Sequence, residues 1–137
     1  MSLILDSSVS LAWCFEDEHT PAGMAVLERV AETGATAPLL WPLEIANGLL
    51  MAERRGRVDA SHRTRLLRFL HDLPVTLDDE TASRAWTDTV RLAEQHRLTI
   101  YDAVYLELAG RMGLPLATLD QDLRAGARAV GVALLGA

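Results

Sequence analysis

Lysine is absent from this chain: all thirteen basic residues are arginine. That excludes a P-loop, whose lysine reaches the nucleotide phosphates, and any mechanism through a lysine Schiff base. Cysteine is nearly as scarce. Cys14 stands alone, so no intrachain disulfide and no thiolate metal cluster can form; its setting on an apolar helix reads as a small core residue rather than a nucleophile. The histidines, His19, His62, His71 and His96, include no i, i+4 pair, which argues against a histidine zinc site. No apolar run approaches the ~20 residues that span a membrane. The opening Met-Ser-Leu-Ile-Leu-Asp has no basic segment and meets an acid at once, unlike a signal peptide, so the expectation is a cytoplasmic protein with no membrane partner. Net positive charge is missing too. A formal charge of −6 argues against holding nucleic acid by bulk charge alone.

Apolar residues are plentiful. They make up 50% of 137 residues, enough for one domain, residues 1–137, with a substantial core. Short apolar runs at 3–6, 35–40, 74–77, 116–119 and 132–135 read as strands. Helical periodicity occupies 9–15, 21–33, 42–56, 59–73, 78–95, 100–112 and 121–129. Ser7 or Ser8 is the expected N-cap of the first helix, and Pro21 suits the first position of the second. Asp78, Asp79 and Glu80 read as a helix-dipole device on a solvated face at the start of one long helix. Strands alternating with helices give an α/β fold, a central parallel sheet of four to five strands with helices on both faces.

Four acids fall where such a sheet exposes its carboxyl edge, the edge at which ligands bind. Asp6 ends the first strand, Glu44 and Asp102 lie in the first turns of helices, and Asp120 ends the fourth strand with Asp122 two residues on. Asp102 sits within Ile100-Tyr101-Asp102-Ala103-Val104-Tyr105-Leu106, and Glu44 between Leu43 and Ile45, so both acids are embedded in stretches that pack inward. Each alone is explained as a helix cap. Together they repel one another unless a cation compensates. With no cysteine or histidine set, an all-carboxylate cluster suits the hard ions Mg²⁺ and Mn²⁺, and such clusters support phosphodiester hydrolysis.

The same residues carry a resemblance to the PIN-domain ribonucleases, and within them to the VapC toxins of bacterial toxin–antitoxin pairs. The motifs are Asp6-Ser7-Ser8 after the first strand, Pro42-Leu43-Glu44 followed by Asn47, Tyr101-Asp102-Ala103-Val104-Tyr105-Leu106, and Ala117-Thr118-Leu119-Asp120-Gln121-Asp122-Leu123. Each is weak alone; their order and spacing cover essentially the whole chain. The resemblance implies a metal-dependent endoribonuclease acting as a toxin, with Asp6, Glu44, Asp102 and Asp120 as the catalytic acids that hold Mg²⁺ or Mn²⁺. It implies Ser8 and Thr118 as hydroxyls supporting that set, Asp122 as an auxiliary acid, and water activated by the metal as the attacking group. Leu119 stands where the family often has asparagine, a departure expected to alter loop packing. It also implies a homodimer, an RNA substrate and a cognate antitoxin filling a groove near the site, here formed by Leu11, Trp13, Phe15, Leu49 and Leu50, residues that serve a core equally well.

Arg54, Arg55, Arg57, Arg63, Arg65 and Arg68 gather on the third and fourth helices, either to track an RNA backbone or as a salt-bridged solvated pair. Trp13, Trp41 and Trp86 fit core or interface packing better than base stacking. A different class of function, a catalytically silent PIN-like module binding RNA or protein, would be marked by loss of one or two acids, and all four are present. Phosphoryl-accepting receivers and haloacid-dehalogenase-like phosphatases share the acid after the first strand but need a lysine.

Overall fold

The computed structural model describes residues 2–137. Five short strands, β1 (Ile4–Leu5), β2 (Ala35–Pro38), β3 (Val75–Asp78), β4 (Leu116–Ala117) and β5 (Leu134–Leu135), form one sheet in the order β3-β2-β1-β4-β5. All pairings are parallel; Ile4 lies beside Thr36 on one side and Leu116 on the other. The α/β expectation with a five-stranded parallel sheet therefore stands. The helices are α1 (Ser7–Ala12), α2 (Pro21–Thr33), α3 (Trp41–Arg54), α4 (Ala60–His71), α5 (Thr81–Arg84), α6 (Asp88–His96), α7 (Ile100–Met112) and α8 (Gln121–Val130), with a short 3₁₀ turn at Glu16–Glu18.

Right-handed crossovers dictate the layering. The chain steps from β1 to β2 to β3 in one direction, then crosses back to β4 and on to β5. Helices α1–α4 thus fall on one face and α6–α8 on the other, and the packing agrees: α3 rests on α1 and α4, while α7 lies across β1, β2 and β4 with α6 and α8 beside it. The chain leaves β1 and β4 in opposite directions, which makes the gap between their carboxyl ends a topological switch point. Leu3, Ile4, Leu5, Leu49, Tyr105, Leu106, Leu108 and Leu116 are buried between the layers. Where α2 turns into β2, Gly34 has φ +78° and a Cβ there would meet the Pro74 carbonyl at 3.0 Å, a site only glycine fills without strain.

Three local expectations are corrected. Helix α1 starts at Ser7 with Asp6 in the capping position, and neither serine hydroxyl caps it; both are turned to carboxylates described below. The single helix expected over 78–95 breaks between Arg84 and Asp88, where Thr87 has non-helical backbone angles. The break lets α6 lie along α7 while Trp86, expected to be packed, is 85% exposed. Trp13 and Trp41 are in the core, their indole N–H groups donating to the Gly23 carbonyl at 2.9 Å and Ser10 Oγ at 3.0 Å.

The third correction concerns Asp78. It ends β3 and is nearly buried rather than solvated. Arg111 from α7 reaches its Oδ2 at 2.7 Å and also binds Glu107 at 2.9 Å and Glu80 at 3.3 Å. Burial pushes the Asp78 carboxyl up, but the Arg111 guanidinium, the Glu80 backbone N–H and the Thr81 hydroxyl outweigh it and hold the group below its ordinary value. Removing the guanidinium strands two nearly buried carboxylates, so Arg111→Met is expected to destabilise the fold by about 3–5 kcal/mol at neutral pH. Urea unfolding checks this. The gap from wild type should narrow on acidification, because a depressed carboxyl stabilises the fold only while it is ionised.

Candidate active site at the switch point

Asp6 is set by β1 and points into the gap beside β4, where it is 4% exposed. Its Oδ2 accepts two hydroxyls, Ser8 Oγ at 2.5 Å and Thr118 Oγ1 at 2.8 Å. Each hydroxyl in turn accepts a backbone N–H from the loop after β4: Leu119 N–H to Ser8 Oγ at 2.9 Å, and Asp120 N–H to Thr118 Oγ1 at 3.1 Å. A hydroxyl has one proton to give, and here both protons go to Asp6. The Thr118 carbonyl is itself gripped by the buried Arg124 at 2.7 Å. The ends of β1 and β4 are thereby locked together around one carboxylate oxygen. Leu119 contributes through its main chain, while its half-buried side chain packs against the core.

Glu44 enters from α3, half-buried in its first turn. Its Oε1 accepts Ser7 Oγ at 3.1 Å and Tyr105 OH at 2.6 Å. Tyr105 is fully buried on α7, and burial together with the charges of Asp6 and Glu44 pushes its phenol upward, so it stays a donor. Sequence reasoning passed over Ser7 and Tyr105 as site residues; their place inside the Asp6 and Asp102 motifs was the available signal.

Asp102 lies in the first turn of α7, but Thr99 caps that helix, accepting the Asp102 N–H at 3.1 Å. Asp120 is the one acid of the four that does cap its helix, accepting the Leu123 N–H at 2.8 Å. Asp122 is exposed in the first turn of α8. Helix capping therefore accounts for Asp120 and leaves Glu44 and Asp102 without that explanation, while Asp6 stands at the N-cap of α1 without a side-chain cap hydrogen bond.

The electrostatics tie these residues together. Asp6 is raised by burial, against the opposing hydroxyl and backbone donors. Glu44 is raised by burial and by the charges of Asp6 and Asp102, with Tyr105 and Ser7 pulling it down. Asp102 is raised by burial and by Asp120, Asp6 and Asp122. No guanidinium pairs with any of them among the described residues. The contrast is the Asp78–Asp79–Glu80 run, whose carboxylate oxygens lie within 4.8 Å of one another and which Arg111 and Arg84 already compensate. At the switch point no three carboxylate oxygens gather so tightly among the described residues. That openness suits a hard cation that keeps several waters and takes one or two carboxylates, and the donor set is oxygen throughout.

Other sequence-expected features are distributed unevenly. Arg57 binds Asp17 and Glu18, both at 2.8 Å, and lies 4.0 Å over the Phe15 ring; Arg63 pairs closely with Glu53. Arg54, Arg55 and Arg68 are exposed and enter no ion pair among the described residues. Of the residues expected to form a partner groove, Leu11 and Phe15 line a 320 Å³ hollow between α1 and α3 together with Asn47 and Met51, whereas Trp13 and Leu49 belong to the core. Burial and the nearby Glu18 push the Cys14 thiol up to about 12, which removes it as a nucleophile. No helix of the described residues is long and apolar enough to cross a membrane.

Comparisons with known proteins show what the whole chain is similar to. The PIN domain family model matches residues 3–129. Ribonuclease VapC3 of Pyrobaculum aerophilum is 28% identical over 123 residues, covering 90% of this chain and 92% of that protein. Ribonuclease VapC3 of Mycobacterium tuberculosis is 33% identical over 103 residues, covering 72% of this chain and 69% of its own. A crystal structure from Pyrobaculum aerophilum superposes with a TM-score of 0.71 at 25% identity, covering 98% of this chain and 89% of that one.

Carboxyls that titrate higher in the folded than in the unfolded chain bind protons on folding. Without divalent ions, the raised Asp6, Glu44 and Asp102 should make stability increase as pH falls from 7 toward the ordinary carboxylate range near ~4. Urea midpoints in EDTA at intervals across that range should show a shallower dependence for Asp102→Asn than for wild type. Parallel curves would separate Asp102 from the cluster.

Proposed function

Since this chain belongs to the PIN domain family, we propose that it is a metal-dependent endoribonuclease of the VapC type, working at the carboxyl edge between β1 and β4. The observation that carries this reading is the set of half-buried and buried acids, Asp6, Glu44 and Asp102, that repel one another without a paired cation. Mg²⁺ or Mn²⁺ held by Asp6, Glu44, Asp102 and Asp120 would supply Lewis-acid stabilisation of the phosphodiester and lower the pKa of water.

The chain's own residues have defined parts in this. Ser8 and Thr118 fix Asp6 by one oxygen. Ser7 and Tyr105 fix Glu44 by Oε1, and Oε2 would be the oxygen offered to the metal. Asp120 is held by Oδ1 at the end of α8, and Asp122 adds negative charge at the rim. Holding a ligand by one oxygen suits ions that demand regular octahedral geometry. Arg54, Arg55 and Arg68 provide local positive potential for the RNA backbone despite the acidic total. By the same family reading, a cognate antitoxin docks in the Leu11–Phe15–Met51 hollow beside Arg55 and Arg57, and the chain works as a homodimer.

In a cleavage assay on single-stranded RNA with Mg²⁺ or Mn²⁺, Asp102→Asn is expected to abolish turnover while folding normally. Turnover by that variant at the wild-type rate would contradict the assignment; folded but inactive wild type would favour a silent binding module. Tyr105→Phe should raise the metal concentration for half-maximal activity roughly 10–100-fold, the usual cost of losing a group that orients a metal ligand.

A further inference from the structure

Beside Glu44 the surface carries an apolar feature that catalysis by the acids does not use. Leu40, Leu43, Glu44, Asn47 and Tyr101 line one hollow of 240 Å³. Leu43 is 68% exposed and Tyr101 63% exposed, although both are large and one precedes Asp102 directly while the other precedes Glu44. Neither side chain holds up the fold. We propose that this hollow binds a single unstacked base of the RNA next to the phosphodiester that is cut, with the Tyr101 ring as its stacking platform. The inference rests on the ribonuclease reading above and names how that same site takes its substrate.

Three features favour a nucleobase. Glu44 is shared between the hollow and the acidic edge, so an occupant is within one residue of the reacting phosphate. Leu40, Leu43 and the Tyr101 ring give apolar and aromatic surface, and Asn47, one turn after Leu43, offers a donor and an acceptor to a base edge; this is how single-stranded RNA is read. The charge pattern continues the path: Arg54 falls on the same face of α3 as Leu43 and Asn47, about 16 Å farther along the axis, exposed and without an ion pair among the described residues.

The experiment pairs the protein with its substrate. A mixed-sequence single-stranded RNA whose cleavage position has been mapped is compared with the same RNA carrying an abasic residue beside that position, on either side in turn. Tyr101→Ala is expected to raise KM roughly 5- to 150-fold with kcat less affected, the range of losing one base stack, and Tyr101→Phe, which keeps the ring, should recover most of it. One abasic RNA should behave on wild type as intact RNA does on Tyr101→Ala, and combining the two changes should add little. An unchanged KM in Tyr101→Ala, or abasic penalties that stay the same in wild type and variant, overturns the inference and leaves the hollow to a protein partner. Wild type that cleaves neither RNA defeats the ribonuclease reading instead, so the two failures are distinguishable.

Discussion

One carboxylate oxygen organises the working end of this fold. Asp6 Oδ2 receives the hydroxyls of Ser8 and Thr118, and those hydroxyls receive the backbone N–H groups that open the turn into α8. The network joins the two strands between which the sheet reverses its direction of growth. Strands of two residues each, β1 and β4, make few ladder hydrogen bonds, so side-chain bonds at their ends define the geometry there. A buried carboxylate with such donors is held rigidly in one orientation.

The acids of the chain divide by how their charge is met. Around Asp78 the charge is met from within, by Arg111 threaded among Asp78, Glu80 and Glu107, and Asp78 falls below its ordinary pKa. At the switch point it is met by hydroxyls and backbone N–H groups with no guanidinium among the described residues, and Asp6, Glu44 and Asp102 rise. Hydrogen-bond donors orient a carboxylate without neutralising its neighbours' repulsion. The first arrangement is finished as it stands and braces β3 against α7. The second stores unfavourable charge at the place where ligands of open α/β sheets bind.

The fold was legible because apolar runs and helical periodicity alternate along the chain without interruption, and the parallel sheet follows from that alternation. The four edge acids were legible for a related reason: Glu44 and Asp102 are carboxylates in stretches that otherwise pack inward. Most of the errors share one origin, tertiary partners distant in sequence; Ser8, whose hydroxyl goes to Asp6 two residues back, is the local exception. Ser7 and Ser8 look like caps until Glu44 and Asp6 are seen to claim their hydroxyls. Asp78 looks like a helix-dipole acid until Arg111, 33 residues on, reaches it. The helix over 78–95 looks continuous because nothing in its local pattern marks the bend that lays α6 along α7. Tyr105 reads as core, which it is, and its hydroxyl acts on a residue 61 positions away.

If the switch-point acids form a cation site, thermal unfolding with and without millimolar Mn²⁺, for wild type beside Asp102→Asn, will reveal it. A ligand that binds only the folded state raises the melting temperature, and the rise grows with the logarithm of its concentration once the site fills. The account requires Mn²⁺ to raise the wild-type melting temperature clearly, and the variant, already relieved of one repulsive charge, to melt higher than wild type in EDTA and respond weakly to metal. Equal responses of the two proteins, or no response of wild type at saturating Mn²⁺, would contradict it.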